Sequence, residues 1–344
     1  MTKRQPQRIA VFQAAQLGDL ICATPALRAL REGYPQAEIT LIGSVWGQGL
    51  AARLPMLDSF IPFPGFPGIR ESPAVLPAEP PVWPPFDLAI QMHGSGDVSN
   101  GFITTLGAAQ TLGHALPGDT RLDIARAWEP TEAEPRRWLG LVTELGIPAA
   151  GLQLEFPFTH EERDTAARLI DATADEAVIG VHVGASELPK RWPPEAFAQV
   201  IDGLAETLPA RFVLTGAASE AELTARTAAA AHTPVIDLGG QTTLGEFAAA
   251  IAGLDLLLTN DTGASHLAAV YGTPSVVLFG HTDPRRWAPL DAERHRVIAA
   301  SVVCGEPDGA RALQMLPPDA VLAHCREMLH DSYIRNRRNR EAIA

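Results

Sequence analysis

The amino-acid sequence predicts an α/β protein made of two doubly wound, Rossmann-like domains, each a parallel sheet covered by helices. In both halves of the chain, short apolar segments of strand length alternate with amphipathic segments of helix length. This alternation is typical of parallel sheets with right-handed crossovers. The length of 344 residues fits two domains of about 150 residues each. We place the first domain at 1–160, the second at 161–330 and a basic tail at 331–344.

The first half begins with a strand, helix, strand unit. Its apolar side chains recur at the helical spacing, so that one helix face can pack on a sheet. The predicted elements are strands at 8–12, 38–42 and 88–91 and a helix at 20–32. Prolines crowd the segment 62–85, which therefore cannot form a regular helix or a central strand. We interpret it as a long surface loop near an active cleft, or as an insertion without a function.

The second half repeats the pattern after a seam that we expect between 152 and 176, with the cleft above it. The predicted strands are 177–183, 211–215, 235–238, 255–259 and 275–279, and the predicted helices are 194–208, 220–231, 243–252 and one that opens near Thr262.

Composition and charge exclude several classes of protein. The formal net charge of −13 opposes non-specific binding to nucleic acid, which requires basic residues against phosphates. No segment approaches the roughly 18 uninterrupted apolar residues of a membrane helix, and the start of the chain lacks the pattern of a signal peptide. We therefore expect a cytoplasmic enzyme. Basic islands at Lys3, Arg4 and Arg8 and at 335–340 are either solvated tails or contacts with the inner membrane surface.

The most informative motif of the second half follows the strand predicted at 255–259. Asp261, Thr262 and Gly263 turn the chain into a helix that carries His266 one turn later. A helix N-terminus favours anions, and glycine lets a pyrophosphate approach the backbone. Because open α/β sheets bind ligands at the carboxyl ends of their strands, we predict a diphosphate site. A simple helix cap at Asp261 or Thr262 and a structural histidine are the alternative interpretation.

A second candidate segment, 184–193, follows the first strand of the second domain and carries Lys190 and Arg191. A lysine there can neutralise the charge that builds up on a departing diphosphate. The alternative is a solvated loop above a packed Trp192. Glu220 follows the next strand, where its carboxylate suits ribose hydroxyls or simply the start of a helix.

The candidate of the first half is Gly18-Asp19, which ends the first loop and opens the first helix. Asp19 is either a helix N-cap, the commonest function of aspartate there, or a general base that takes a proton from an attacking hydroxyl.

Several chemistries are excluded by missing motifs. No dinucleotide-binding G-x-G-x-x-G follows a strand, and there is no Walker A sequence, no H-E-x-x-H and no G-x-S-x-G. No D-x-D is present, and the three cysteines lie too far apart for a zinc site or a disulfide framework. We predict neither a metal nor a cofactor.

Taken together, three segments resemble glycosyltransferase family 9, the ADP-heptose:lipopolysaccharide heptosyltransferases and their relatives. The matching segments are QLGDLICATPALRALREGYPQAEITLI, GASELPKRWPPEAFAQV and LGGQTTLGEFAAAIAGLDLLLTNDTGASHLAAVYGTPSVVLFGHTDP. Their order and spacing agree with the family over residues 8–290.

The resemblance implies the GT-B architecture, two Rossmann-like domains facing across a cleft. It implies that the N-terminal domain binds the acceptor, that the C-terminal domain binds the nucleotide-sugar, and that a single displacement inverts the anomeric centre. No metal should be required, because Lys190 and the helix start at Thr262-Gly263 can carry the diphosphate charge. Asp19 matches the catalytic base and Lys190 the phosphate-binding lysine. The implied substrate contacts are Gly18, Ser186, Glu220, Asp261, Thr262, Gly263 and His266.

The expected function is therefore transfer of a sugar, heptose from ADP-heptose, to a lipopolysaccharide-core or related glycan acceptor. The expected partners are the nucleotide-sugar, a glycolipid or glycan and the inner face of the cytoplasmic membrane. Two alternatives stay open, because a fold does not fix a function. One is a nucleotide-sugar epimerase or hydrolase, which turns over without an acceptor. The other is a non-catalytic sugar-nucleotide binding protein.

Overall fold

The computed structural model describes residues 5–72, 76, 79, 81–173 and 175–343, with the backbone alone from 331 onward. The chain separates between Pro157 and Phe158 into two units. Among the described residues, each unit contains one parallel sheet of six strands. The predicted doubly wound α/β class is thereby confirmed.

The sheet of the first unit has the strand order β3-β2-β1-β4-β5-β6. The central strands are continuous apolar runs because helices cover both faces of a parallel sheet. The strands are β1 (Arg8–Phe12), β2 (Glu38–Gly43), β3 (Ser59–Pro62), β4 (Leu88–Gln91), β5 (Gln110–Ala115) and β6 (Ile124–Ala127), and the helices are α1 (Leu17–Gly33), α2 (Gln48–Ala51), α3 (Ser99–Thr105) and α4 (Glu134–Thr143).

The sheet of the second unit has the order β12-β11-β10-β7-β8-β9. Its strands are β7 (Ala177–His182), β8 (Ala210–Thr215), β9 (Val235–Asp237), β10 (Leu256–Asn260), β11 (Ser275–Phe279) and β12 (His295–Ala299). Its helices are α5 (His160–Ile170), α6 (Pro194–Ala205), α7 (Ala221–Ala230), α8 (Leu244–Ala252), α9 (Gly263–Tyr271), α10 (Pro284–Trp287), α11 (Ala300–Cys304), α12 (Gly309–Met315) and α13 (Pro318–Ile343).

Each strand order reverses direction at one point. In the first unit the reversal lies between β1 and β4, and in the second it lies between β7 and β10. The loops that leave two such strands diverge to opposite faces of the sheet and open a crevice at the carboxyl ends. The loops after β1, β4, β7 and β10 are therefore the places where this fold binds ligands.

The elements that the sequence did not predict are the strands β3, β5, β6 and β12 and the helices α2, α3, α4, α5, α10, α11 and α12. The edge strand β6 alternates between half-buried and exposed residues, and α5 buries only Ala166 and Ile170. Such elements lack a strong apolar pattern because they face solvent on one side.

The proline-rich segment 62–85 is only partly the surface loop that we expected. Phe63 and Ile69 are buried in a core cluster of the first unit, and the Phe63 ring lies 5.0 Å from the Phe12 ring and 5.0 Å from the Phe102 ring. Residues 73–75, 77, 78 and 80 lie outside the described residues. The start of the segment is thus a packed part of the first unit.

The chain ends in the long helix α13, which packs against α6 and the strands β10 and β11 of the second unit. Cys325 on this helix is completely buried. The helix runs on to Ile343, so most of the basic tail predicted at 331–344 continues α13. The side chains of that tail, and the residues Lys3 and Arg4, lie outside the described part. Within the described ranges, no helix is long and apolar enough to cross a membrane.

Burial affects several histidines. It lowers the pKa of His114 on β5 to about 3, and the charges of Arg137 and Arg126 act in the same direction. It also lowers the pKa of His266 and His295 to about 4. These rings are therefore neutral in the folded protein at pH 7.

We expect the free energy of unfolding to decrease as the pH falls from about 6.5 towards 4. The unfolded chain binds protons at its histidines near their ordinary pKa of about 6.5, whereas the folded protein leaves the buried rings neutral. Acid therefore favours the unfolded state, by about 2 kcal/mol for His114 alone at pH 5. Urea unfolding between about pH 7 and pH 5 measures the effect.

The matched variants are His114→Gln and His160→Gln, since His160 is exposed at the start of α5. The first should reduce the pH dependence of stability, and the second should leave it unchanged. An unaltered slope in His114→Gln would contradict the assignment.

Candidate functional site

The second unit brings two of the predicted site residues into direct contact at its crevice. The loop after β7 ends in a 3-10 turn, Leu188–Lys190, and the loop after β10 starts with Asp261. The Lys190 ammonium lies 3.2 Å from Asp261 Oδ2. Lys190 is thus not a solvated loop residue: its side chain is 18% exposed and that of Asp261 only 4%.

A third side chain completes this group. The hydroxyl of Thr282, in the turn after β11, donates to the same Asp261 Oδ2 at 2.7 Å. A buried carboxylate requires such partners, because an unpaired charge in the interior costs several kcal/mol, of order 3–5. Thr282 was not among the residues that the sequence singled out, although it lies in the quoted FGHTDP segment.

The two loops are fixed to each other by Asn260, the last residue of β10. Its side-chain amide donates to the carbonyl oxygens of Val183 (3.0 Å) and Gly184 (3.3 Å), and its Oδ1 accepts from the backbone N–H of Trp192 (3.1 Å). Trp192 is 1% exposed, and its indole N–H donates to the Leu316 carbonyl. Trp192 is thus packed under the loop, as the alternative interpretation of this segment assumed, although Lys190 itself is not solvated.

The start of α9 provides the helix N-terminus that the sequence predicted. Thr262 is the N-cap, and its hydroxyl oxygen accepts from the backbone N–H of Ala264 at 3.3 Å. Of the two residues that we considered as caps, Thr262 therefore has this function and Asp261 does not. The dipole and the first N–H groups of α9 favour an anion beside the Lys190 ammonium.

His266 lies one turn into α9 and is 4% exposed. Burial lowers its pKa to about 4; the charge of Asp261 opposes this shift and that of Lys190 adds to it. A neutral ring can donate one hydrogen bond but cannot provide a positive charge. Any contact of His266 with a phosphate would therefore be a neutral hydrogen bond.

Glu220 lies at the neighbouring strand end, in a 3-10 turn after β8 (Ala218–Glu220). Its carboxylate accepts from the backbone N–H of Ala217 at 2.8 Å and is largely buried. A Cβ at Gly184 would overlap this carboxylate, so glycine at that position leaves the space that the Glu220 carboxylate occupies. Ser186, in the same loop as Gly184, is exposed.

In the first unit, Asp19 lies in the first turn of α1, which begins at Leu17, three residues earlier than predicted. The N-cap is Gln16, so Asp19 is not the cap that we considered. Its Oδ2 accepts from the Gln16 backbone N–H at 3.1 Å, which fixes the carboxylate at the helix start. Gly18 beside it is buried.

The loops around Asp19 are joined by side chains that the sequence did not single out. The Gln13 amide donates to the Met92 carbonyl after β4, and the Ser44 hydroxyl after β2 donates to the Ala14 carbonyl. These bonds fix the loop between β1 and α1 at the reversal point of the first sheet.

A histidine–carboxylate pair lies at the same sheet edge. His93, in the glycine-rich turn after β4, approaches Glu71 of the proline-rich segment, with Nε2 3.3 Å from Oε2. The hydrogen bond from His93 is the main cause that lowers the pKa of Glu71. The pair joins the proline-rich segment to the turn after β4.

Within the described ranges, no group of three or more histidine, cysteine, aspartate or glutamate side chains is arranged to hold a metal ion. Lys190 and the N-terminus of α9 are two positive elements of the second crevice. This arrangement is suited to binding a diphosphate.

Comparison with known proteins identifies a family. The family model described as Glycosyltransferase family 9 (heptosyltransferase) matches residues 104–306. The chain is similar to lipopolysaccharide heptosyltransferase 2 of Escherichia coli, with 26% identity over 85% of this chain and 87% of that protein. It is also similar to the lipopolysaccharide core heptosyltransferase OpsX of Haemophilus influenzae, with 24% identity over 83% of this chain and 82% of that protein.

Solved structures show the same fold. The structure of E. coli ADP-heptose lps heptosyltransferase II has a TM-score of 0.71 and 22% identity, and covers 95% of this chain and 99% of its own. That of the glycosyl transferase family 9 from Veillonella parvula has a TM-score of 0.74 and 22% identity, and covers 94% of this chain and 97% of its own. The chain thus has the fold of these glycosyltransferases, with two doubly wound, Rossmann-like domains as predicted.

Proposed function

The chain belongs to glycosyltransferase family 9, the heptosyltransferase family, and from this premise we propose that it transfers heptose from ADP-heptose to a lipopolysaccharide-core or related glycan acceptor. The proposed reaction inverts the anomeric centre and needs no metal. Relatives named as lipopolysaccharide heptosyltransferases, which align over more than four fifths of the chain, support this choice of acceptor class. The solved complexes of an E. coli heptosyltransferase with ADP and with an ADP-heptose analogue support the choice of donor.

One observation carries the proposal: the Lys190 ammonium, 3.2 Å from Asp261, lies beside the start of α9 at the reversal point of the second sheet. Two positive elements, a side-chain cation and a helix N-terminus, thus meet where an open α/β sheet binds its ligand. We assign the donor diphosphate to this place. Glu220, at the adjacent strand end, would then contact the ribose hydroxyls.

The proposed mechanism is a single displacement. The acceptor hydroxyl oxygen attacks the anomeric carbon, the bond from that carbon to the diphosphate oxygen breaks, and ADP leaves with the electron pair. Asp19 takes the proton of the attacking hydroxyl. Lys190 and the α9 N-terminus stabilise the charge that develops on the departing diphosphate.

The experiment that tests the function is a donor turnover assay with and without acceptor. Release of ADP from ADP-heptose should depend on a lipopolysaccharide-core acceptor. Turnover at equal rate without acceptor would instead identify an epimerase or hydrolase, and binding without turnover would identify a binding protein. A thermal-shift screen of ADP, UDP and GDP identifies the base, because a ligand of the native state raises its melting temperature.

The same assay tests the metal independence. We expect activity to persist in excess EDTA, because Lys190 and the α9 N-terminus supply the positive charge that a metal would otherwise supply. Loss of activity in EDTA and its recovery with magnesium or manganese would disprove this part of the proposal. Mild stimulation by magnesium would not.

We further propose that the enzyme works in the cytoplasm, at the inner face of the cytoplasmic membrane. The basic residues at the two ends of the sequence support this placement, because anionic lipids attract clustered arginine and lysine side chains.

A further inference from the structure

Three side chains from three loops meet at the diphosphate site of the second unit, and one of them has no assigned function. Lys190 and Thr282 both contact Asp261 Oδ2, at 3.2 Å and 2.7 Å. In the sequence, Lys190 is 71 positions from Asp261 and Thr282 is 21 positions from it. Only the strand order of the second sheet brings them together.

The position of Thr282 is set by close packing of its turn. A Cβ at Gly280 would lie 2.9 Å from the Pro189 carbonyl oxygen and 3.1 Å from a Leu313 methyl group, so the turn after β11 lies directly against the loop that carries Lys190. His281 Nε2 also lies 3.6 Å from Glu187 Oε2 in that loop. The position of the Thr282 hydroxyl is therefore set by the loop that carries Lys190 and by Leu313 of α12.

The negative charge of Asp261 opposes diphosphate binding, and the hydrogen bond from Thr282 can reduce this effect. The negative charge of the buried Asp261 carboxylate repels a diphosphate bound beside it. The same carboxylate also attracts the Lys190 ammonium, which the diphosphate needs as its own partner. The Thr282 hydroxyl donates to the carboxylate oxygen that Lys190 also contacts. This hydrogen bond stabilises part of the negative charge on the carboxylate, so that Asp261 holds the Lys190 ammonium less tightly.

We propose that Thr282 is a positioning residue for the donor site: its hydrogen bond to Asp261 leaves the Lys190 ammonium available to the diphosphate. This inference rests on the proposed function, since it takes a nucleoside diphosphate as the ligand. Thr282 acts through Asp261 and Lys190 and does not itself react.

The test is calorimetric titration of the full chain with ADP. Thr282→Val keeps the side-chain shape and removes the hydroxyl, and we expect it to weaken ADP binding about 10-fold, the size of one hydrogen bond to a charged group. Thr282→Ser should restore binding to within about twofold. In the turnover assay, the valine variant should raise KM for the donor more than it lowers kcat.

The matched control is Thr227→Val, which removes a hydroxyl that donates to the Leu223 carbonyl within α7. It should bind ADP as the parent protein does. Wild-type ADP affinity in Thr282→Val would overturn the proposal. Equal weakening in Thr282→Val and Thr282→Ser would do the same, because the hydroxyl would then not be the cause.

A double-mutant cycle tests the route of the effect. In an Asp261→Asn background, Thr282→Val should change ADP affinity much less than in the parent, since the two side chains act as a unit. If Thr282→Val weakened ADP binding equally in both backgrounds, Thr282 would not act through Asp261, and the proposal would be overturned.

Inorganic pyrophosphate separates a failure of this inference from a failure of the proposed function. If the parent binds pyrophosphate but not ADP, the proposed donor is wrong, and Thr282→Val must then weaken pyrophosphate binding for the inference to stand. If the parent binds neither, both are overturned.

Discussion

Replacement of Asp19 by asparagine should lower turnover by about 10²- to 10⁴-fold, the usual contribution of general-base catalysis. Asparagine cannot accept the proton of the attacking hydroxyl. It can still accept the hydrogen bond that Asp19 receives from the Gln16 backbone N–H, so the start of α1 should persist. Steady-state turnover of ADP-heptose with acceptor measures the loss, and titration with ADP should show nearly unchanged donor binding.

The control for charge removal on the same helix is Glu32→Gln, because Glu32 is exposed near the C-terminal end of α1. This variant should retain full activity. If Asp19→Asn were also fully active, Asp19 would serve only to stabilise the start of the helix, and another group would be the base. Lost turnover at unchanged unfolding free energy would support catalysis.

Replacement of Lys190 by alanine should lower turnover by about two to three orders of magnitude, corresponding to about 3–4 kcal/mol, the usual loss when a preorganised contact to developing charge is removed. Donor affinity should also decrease. The variant leaves the buried Asp261 carboxylate without the ammonium that it contacts, so the protein should be destabilised as well. Unfolding and turnover must therefore be measured on the same preparation, under conditions where the variant is folded.

Two further variants sharpen this test. Lys190→Arg keeps the charge but not the geometry of the ammonium, and should recover only part of the activity. Arg226→Ala removes a cation that lies 2.7 Å from Glu195 elsewhere in the second unit, and should leave turnover unchanged. Near-native rates in Lys190→Ala would show that the leaving-group assignment is wrong.

The sequence predicted most interior strands closely, and β1, β4 and β11 have the predicted bounds. The interior strand β5 was missed, because Thr111, Gly113 and His114 interrupt its apolar run. A central parallel strand is apolar along its whole length because helices cover both faces, so it is visible in the sequence by itself. The edge strands β3 and β6 have no fully buried residue and the polar helix α5 buries only two, so their apolar patterns are weak and all three were missed.

Helix starts were less predictable than helix faces. The first turn of α1 lies outside the apolar periodicity, because it contains Gly18 and the polar Asp19. The predicted start was therefore three residues late, and Asp19 was considered as an N-cap although Gln16 holds that position. The N-cap at Thr262 was among the predicted alternatives, because threonine before glycine at a strand end is a local signal.

The sequence by itself determined the fold class, the family and the loops that carry the candidate residues, because these depend on local patterns: apolar runs, turn residues and short motifs. Only the tertiary structure decided that Lys190, Asp261 and Thr282 meet at one carboxylate oxygen, and that Glu71 pairs with His93. Such contacts depend on the strand order and on how loops from distant strands pack. No local pattern encodes the distance between side chains that are 71 residues apart.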